Sequence, residues 1–145
     1  MVVPEYITPE EVKRVCKEMK ISDWTELTEA LITDNEAEII LEIVNTQHMN
    51  IALDDFKRGL EVELEHGIMF SDANVTNNHP IVTGKIVLAH MKESLDYYKL
   101  LEVAELEGDL LKAIQANNME KTKDKYTELI KAQLVLNQSI LDQTK

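Results

Sequence analysis

Apolar positions along this chain fall on helical spacing in almost every stretch long enough to judge. Thr8-Pro9-Glu10-Glu11 reads as a capping box with proline at the first helical position, and Val12, Val15, Cys16 and Met19 follow on one side, predicting a helix to about Lys20. Ser22 is placed to cap a second short helix carrying Trp24, Leu27 and Leu31. Asp34 or Asn35 is placed to cap a third with Ala37, Ile40, Leu41 and Val44. After a polar connection at Thr46 to Asn50, Asp54 or Asp55 offers the cap of a helix that ends at His66-Gly67. Ser71 to His79 has no helical period and reads as a loop, with Pro80 in the first turn of a helix reaching about Ser94. Asp96 is read as the cap of the next, with Tyr97, Leu100, Leu101, Ala104, Leu111 and Ile114. It stops at Asn117-Asn118, and a last helix runs to near the C-terminus.

The expected fold is therefore all-α, a multi-helix bundle with short N-terminal helices over residues 1–50, a central part over 54–107 and a long C-terminal helix over 118–143. The length of 145 residues suits one domain, and the apolar set leans on Leu, Ile, Ala and Met with few aromatics, as helices prefer. Charge narrows the partners. With 27 acidic against 15 basic residues the net charge is −12, a field that repels phosphate backbones and anionic headgroups, so nucleic acid and membrane surfaces are not expected. Cys16, the single cysteine, sits in an apolar stripe and reads as a buried, inert thiol. Met1 to Ile7 lacks the basic start and apolar run of a secretion signal, and no stretch approaches the ~18 apolar residues of a membrane span. A location inside the cell, cytoplasmic, or inside a particle is the expectation.

Candidate chemistry lies on two helices. On a helical wheel Phe56, Leu60, Glu63 and Gly67 share an arc of roughly 60°, and Ile86, His90, Glu93 and Tyr97 share a similar one, which sets ionisable groups among core positions. Glu63 and His66 are three apart, as are His90 and Glu93, so a carboxylate and an imidazole on neighbouring turns can converge. Bundles that hold non-haem iron, manganese or zinc use Glu and His at this spacing on facing helices, and Glu102 or Glu105 would supply further carboxylates. The alternative is structural: His66 favours the helix dipole in a last turn, while Glu63, His90, Glu93 and Tyr97 form one buried hydrogen-bonded network. Asp72, Asn74, Thr76 and Asn78 alternate like early calcium ligands. Thr83 stands where a bidentate glutamate belongs, however, and the run reads as a loop of side-chain turns.

The C-terminal helix carries two apolar stripes. Leu129, Ala132, Leu136 and Ile140 make one, and Ile130, Leu134 and Leu141 another roughly 100° or more away, with Gln133 and Asn137 interrupting the seam. One core does not easily cover both, so Ile130, Leu134 and Leu141 are the expected interface to a protein partner, another copy or an assembly subunit.

The run Val62-Glu63-Leu64-Glu65-His66-Gly67, with Asn74-Val75-Thr76, Thr83-Gly84-Lys85-Ile86-Val87-Leu88-Ala89-His90 and Asp96-Tyr97-Tyr98, resembles a bacterial, archaeal and phage family of unknown function. Its hallmarks are V-E-L-E-H-G, T-N-V-T, T-G-K-I-A-L-A-H and D-Y-Y. The chain departs from it at Asn78 and His79, where two acidic residues are usual, and at Leu95, where a proline is. The resemblance supplies no function. It is compatible with a non-catalytic assembly module of a larger particle such as a virion, and with a metal-binding bundle of oxidoreductase or storage role.

Overall fold

A computed structural model describes residues 6–144; the reading of Met1 to Glu5 as no secretion signal lies outside them. The described chain is all-helical, with α1 over Pro9–Met19, α2 over Asp34–Val44, α3 over Leu53–Met69, a single 3-10 turn at Ser71–Ala73, α4 over Pro80–Glu93, α5 over Tyr97–Gln115 and α6 over Met119–Gln143. Two compact units divide it, one ending at Glu93 and one beginning at Ser94. Among the described residues no helix is long and apolar enough to cross a membrane.

In the first unit α2 packs on both α3 and α4, these two pack on each other, and α1 lies against α4. Fully buried Val12, Cys16, Trp24, Ile40, Phe56, Leu60, Leu64 and Val87 make its core, each large side chain contributing about 1.5–3 kcal/mol of burial free energy. Thr8 caps α1 by accepting from the Glu11 amide at 3.3 Å, one half of the expected capping box, while the Glu11 carboxylate turns to Arg14 instead. The second short helix is not there. Residues 20–33 run as irregular turns in which Asp23 accepts from the Thr25 amide and hydroxyl at 3.0 and 2.6 Å, while Trp24 is buried and Leu31 is exposed. Such local side-chain bonds offer the backbone an alternative to the helix that the apolar spacing alone suggests.

Cap positions differ in three further places. Thr33, not Asp34 or Asn35, caps α2. Ala52 precedes α3 without any side-chain cap, leaving Asp54 and Asp55 in the first turn where they complement the helix dipole. That helix also continues past His66-Gly67 to Met69.

The second unit is a helical hairpin. Its turn carries Asn117 in the left-handed region at φ 52°, while Asn118 accepts from the Lys121 amide at 3.0 Å to start α6. Asp96 stands at the N-cap position of α5, as expected, but its side chain makes no capping hydrogen bond. Its buried carboxylate instead accepts from Ser139 Oγ and Gln143 Nε2, both at 2.6 Å, tying the start of α5 to the end of α6. Burial would raise that carboxyl, but the bonds from Ser139, Gln143 and Lys99 outweigh it and hold Asp96 below the ordinary carboxylate range. Leu129, Ala132 and Leu136 are buried on α6, as is Ala113 on α5, whereas Ile140, expected in the same stripe, is exposed.

Candidate functional site

The buried side of α3 is built from Phe56, Gly59, Leu60 and Leu64, and that of α4 from Pro80, Thr83, Gly84, Val87, Leu88 and Met91. Glu63 and His90 flank these faces, partly buried, and they meet: His90 Nδ1 lies 3.4 Å from Glu63 Oε1. His66 joins Glu63 in lining a cavity of about 240 Å3 with Phe70, Asn74, Thr83 and Ile86. Glu93 is exposed at the last residue of α4, and Tyr97 belongs to the next helix, so the arc drawn through Ile86, His90, Glu93 and Tyr97 crosses a helix break. Glu102 is half-buried and Glu105 exposed on α5. Among the described residues no three His, Cys, Asp or Glu side chains are grouped to hold a metal ion. The structure thus brings two of the candidate ligands together as a pair.

Most motif residues around that pair shape the backbone. A Cβ on Gly67 would stand 2.1 Å from Asn78 Oδ1 and 2.9 Å from Asn74 Nδ2, so glycine is what lets the loop close on α3. Asn74 Nδ2 donates to the Gly67 carbonyl at 3.1 Å and to Asn78 Oδ1 at 2.9 Å, and its own Oδ1 accepts from the Thr76 amide and hydroxyl. The alternating Asn and Thr residues therefore spend their polar atoms on one another. Asn77 and Asn78 both take left-handed backbone, at φ 47° and 59°, which asparagine tolerates better than most residues. Asn77 Nδ2 also donates to the Ile7 carbonyl at 2.6 Å, fastening the segment before α1.

His79 enters α4 as more than a loop residue. Its Nδ1 accepts from the Ile81 and Val82 amides at 3.2 and 3.4 Å, satisfying two orphan donors of the helix start as an N-cap does. Those two donors require an unprotonated Nδ1. Burial pushes the imidazole below its ordinary range, against the pull of Glu11. Gly84 is equally structural, since a Cβ there would lie 2.5 Å from Ile40 Cγ2 and 3.3 Å from Val44 Cγ1 across the α2–α4 contact.

Two polar anchors escaped sequence reasoning. Glu36 is buried, and its carboxylate accepts from Ser22 N and Oγ at 3.0 and 2.5 Å and from Thr33 N and Oγ at 2.8 and 2.9 Å. Thr33-Asp34-Asn35-Glu36 carries the capping-box spacing that would have found it. Asp96 had no such signal, because its partners lie 43 and 47 residues away.

On the hairpin the expected interface residues are open to solvent. Ile130 is 40% exposed, Leu134 64% and Leu141 57%, and Tyr126 on the same side of α6 is 58% exposed. The other helix has a counterpart that was not foreseen: Leu100, Leu111 and Ile114 are exposed on α5, and with Ala104 and Glu107 they fall at alternating spacings of four and three residues.

The model of a family described as "Protein of unknown function (DUF5661)" matches residues 12–107, about two thirds of the chain. That span runs from α1 into α5 and stops before α6. No curated protein and no solved structure matches the chain.

Proposed function

We propose that this chain, which belongs to the DUF5661 family, is a non-catalytic interaction module that docks through its C-terminal helical hairpin, as a component of a larger assembly. The observation that carries this reading is the exposed apolar seam of α6, where Tyr126, Ile130, Leu134 and Leu141 follow one another on one side of a 25-residue helix. Single exposed apolar residues need no explanation, but an aligned series along a helix is the form of a docking face. Charge agrees with it. Residues 94–145 hold nine acidic and seven basic residues, so the hairpin carries −2 of the net −12 and the first unit the remaining −10. Association by apolar contact meets the least repulsion on the near-neutral unit.

The Glu63–His90 pair supports a weaker case for metal. A carboxylate and an imidazole supply two donors, whereas structural zinc takes four and catalytic sites three with an open position. The motif residues around the pair are committed to backbone hydrogen bonds and close packing.

Changing Leu134 and Leu141 together to Glu tests the docking reading. Far-UV circular dichroism should stay at the wild-type level, because both side chains are already in water. The variant should then fail to enter whatever oligomer or complex the wild type forms. A variant that loses its helical signal would place these residues in an intrachain core and end the proposal.

A further inference from the structure

Seen down the α6 axis, Met119, Tyr126, Ile130, Leu134, Asn137 and Leu141 fall within about 80° of one another, with Lys123 among them. No acidic residue stands on that stripe. The buried positions Leu129, Ala132 and Leu136 are centred roughly 130° from the centre of that stripe, so α6 has two apolar sides, one used inside the hairpin and one not.

We propose that the unused side is covered by a second copy of itself: two chains pair through α6, antiparallel, about a two-fold axis passing between Ile130 and Leu134. This inference rests on the reading of the hairpin as a docking face and names its occupant. The stripe is self-complementary in that direction. Ile130 meets Leu134 of the other copy on both sides of the axis, the Tyr126 hydroxyl comes level with the Asn137 amide, and the Lys123 ammonium comes level with Leu141 and the neighbouring Asp142 carboxylate. A parallel pairing would instead set Lys123 against Lys123 and leave both helix dipoles aligned, each unfavourable. Antiparallel pairing also closes the assembly at two copies, since a two-fold contact uses the same patch on both chains.

The area fixes how tight the pair is. From Lys123 to Leu141 the seam is about 27 Å long at 1.5 Å per residue and roughly 10 Å wide, a footprint of about 270 Å2 on each copy, well short of the ~800 Å2 of a standard interface. A weak, reversible dimer follows. The −12 charge of each chain sharpens this, because salt that screens the repulsion between copies tightens the dimer.

Sedimentation velocity of the full chain over a concentration series, at low and high salt, is the first measurement. The expected result is a monomer–dimer equilibrium strengthened by salt and weakened at least about tenfold in the Leu134→Glu/Leu141→Glu variant. Direction is read by cysteine pairs under mild oxidation, Cys16 being buried and silent. An equimolar mixture of Ile130→Cys and Leu134→Cys chains should cross-link to each other in preference to themselves. Homodimers of Ile130→Cys alone would overturn the antiparallel pairing. A wild type that stays monomeric at the highest reachable concentration, beside a folded glutamate variant, overturns the second copy as occupant while leaving the docking face for another partner. A monomeric wild type whose glutamate variant unfolds removes both. Should that variant unfold although the wild type dimerises, the cysteine mixture decides alone.

Discussion

Replacing Glu36 by Gln removes one charge and changes almost no volume, yet it should cost the first unit a large part of its stability. The carboxylate takes four hydrogen bonds, two on each oxygen, from Ser22 and Thr33. An amide keeps one oxygen. Its nitrogen must then face either the Ser22 or the Thr33 amide, donor against donor, although the nearby hydroxyl can turn round and accept from it. The net loss is one buried backbone donor left without an acceptor plus the charge assistance on the rest, about 2–3 kcal/mol in total. Against a typical 5–15 kcal/mol for a whole domain this lowers the melting temperature by roughly 10–20 °C. Urea titration followed by Trp24 fluorescence is the assay, since Trp24 is the single tryptophan and lies wholly buried in this unit. Acid supplies a second readout. Burial tends to raise the Glu36 carboxyl, but the bonds from Ser22 and Thr33 prevail and hold it below 4.5. Its contribution is therefore fully present above that value and lost as pH falls through the lower folded one. The Gln variant should be the flatter of the two in that acid window. A variant within about 0.5 kcal/mol of wild type, the range of an ordinary surface substitution, with an unchanged acid slope, would refute the reasoning.

Two further outcomes test the packing and the loop. Gly84→Ala should destabilise by about 1–3 kcal/mol despite the better helix propensity of alanine, because its Cβ would stand 2.5 Å from Ile40 Cγ2; Gly108→Ala, with nothing within 4 Å, should stabilise by up to about 1 kcal/mol, and paired denaturation curves compare them. His79, held below its ordinary value by burial, favours the neutral form when folded, so its stabilisation is complete above about 6.5 and declines as pH falls from there towards its folded value. His79→Asn keeps an acceptor for the helix amides and should lose that slope, at most about 1.4 kcal/mol per pH unit, which stability measured at several pH values between neutral and mildly acidic would detect.

The helices were legible where two signals agreed. At α1 the Thr8-Pro9-Glu10-Glu11 cap and the spacing of Val12 and Cys16 point the same way, and at α4 Pro80 and a long apolar period do. Residues 20–33 offered only the spacing of Trp24, Leu27 and Leu31. That spacing lost to Asp23 and Glu36, which take local backbone and hydroxyl donors out of any helix. Wheel geometry found the meeting of Glu63 with His90 but overextended the arc to Tyr97, because the wheel assumes one continuous helix where the chain breaks at Ser94. The capping role of His79 was invisible for a different reason: nothing in a sequence says which ring nitrogen is bare, and only the two amides at its feet decide it.

The two units break the usual rules of burial in opposite directions. In the first, polar side chains go inside: Glu36, Asn78, His79 and Thr83 are buried and nearly every bond they make is to a neighbouring backbone or hydroxyl. The Glu36 and His79 side chains are satisfied by the fold itself, which is the pattern of positions kept for architecture. In the hairpin the apolar side chains stay outside, and nothing within its own two helices gives Tyr126, Ile130, Leu134 and Leu141 a place to bury. Exposed leucine at one site is ordinary, but a chain that can bury a tryptophan completely in one unit and yet aligns four large apolar residues in water along another bears a cost that the proposed docking partner would offset. Function in this protein is accordingly sought on the surface of α6 before the pair at Glu63 and His90, and the ordering is physical: a satisfied polar network has no remaining demand for a ligand, whereas an uncovered apolar seam does.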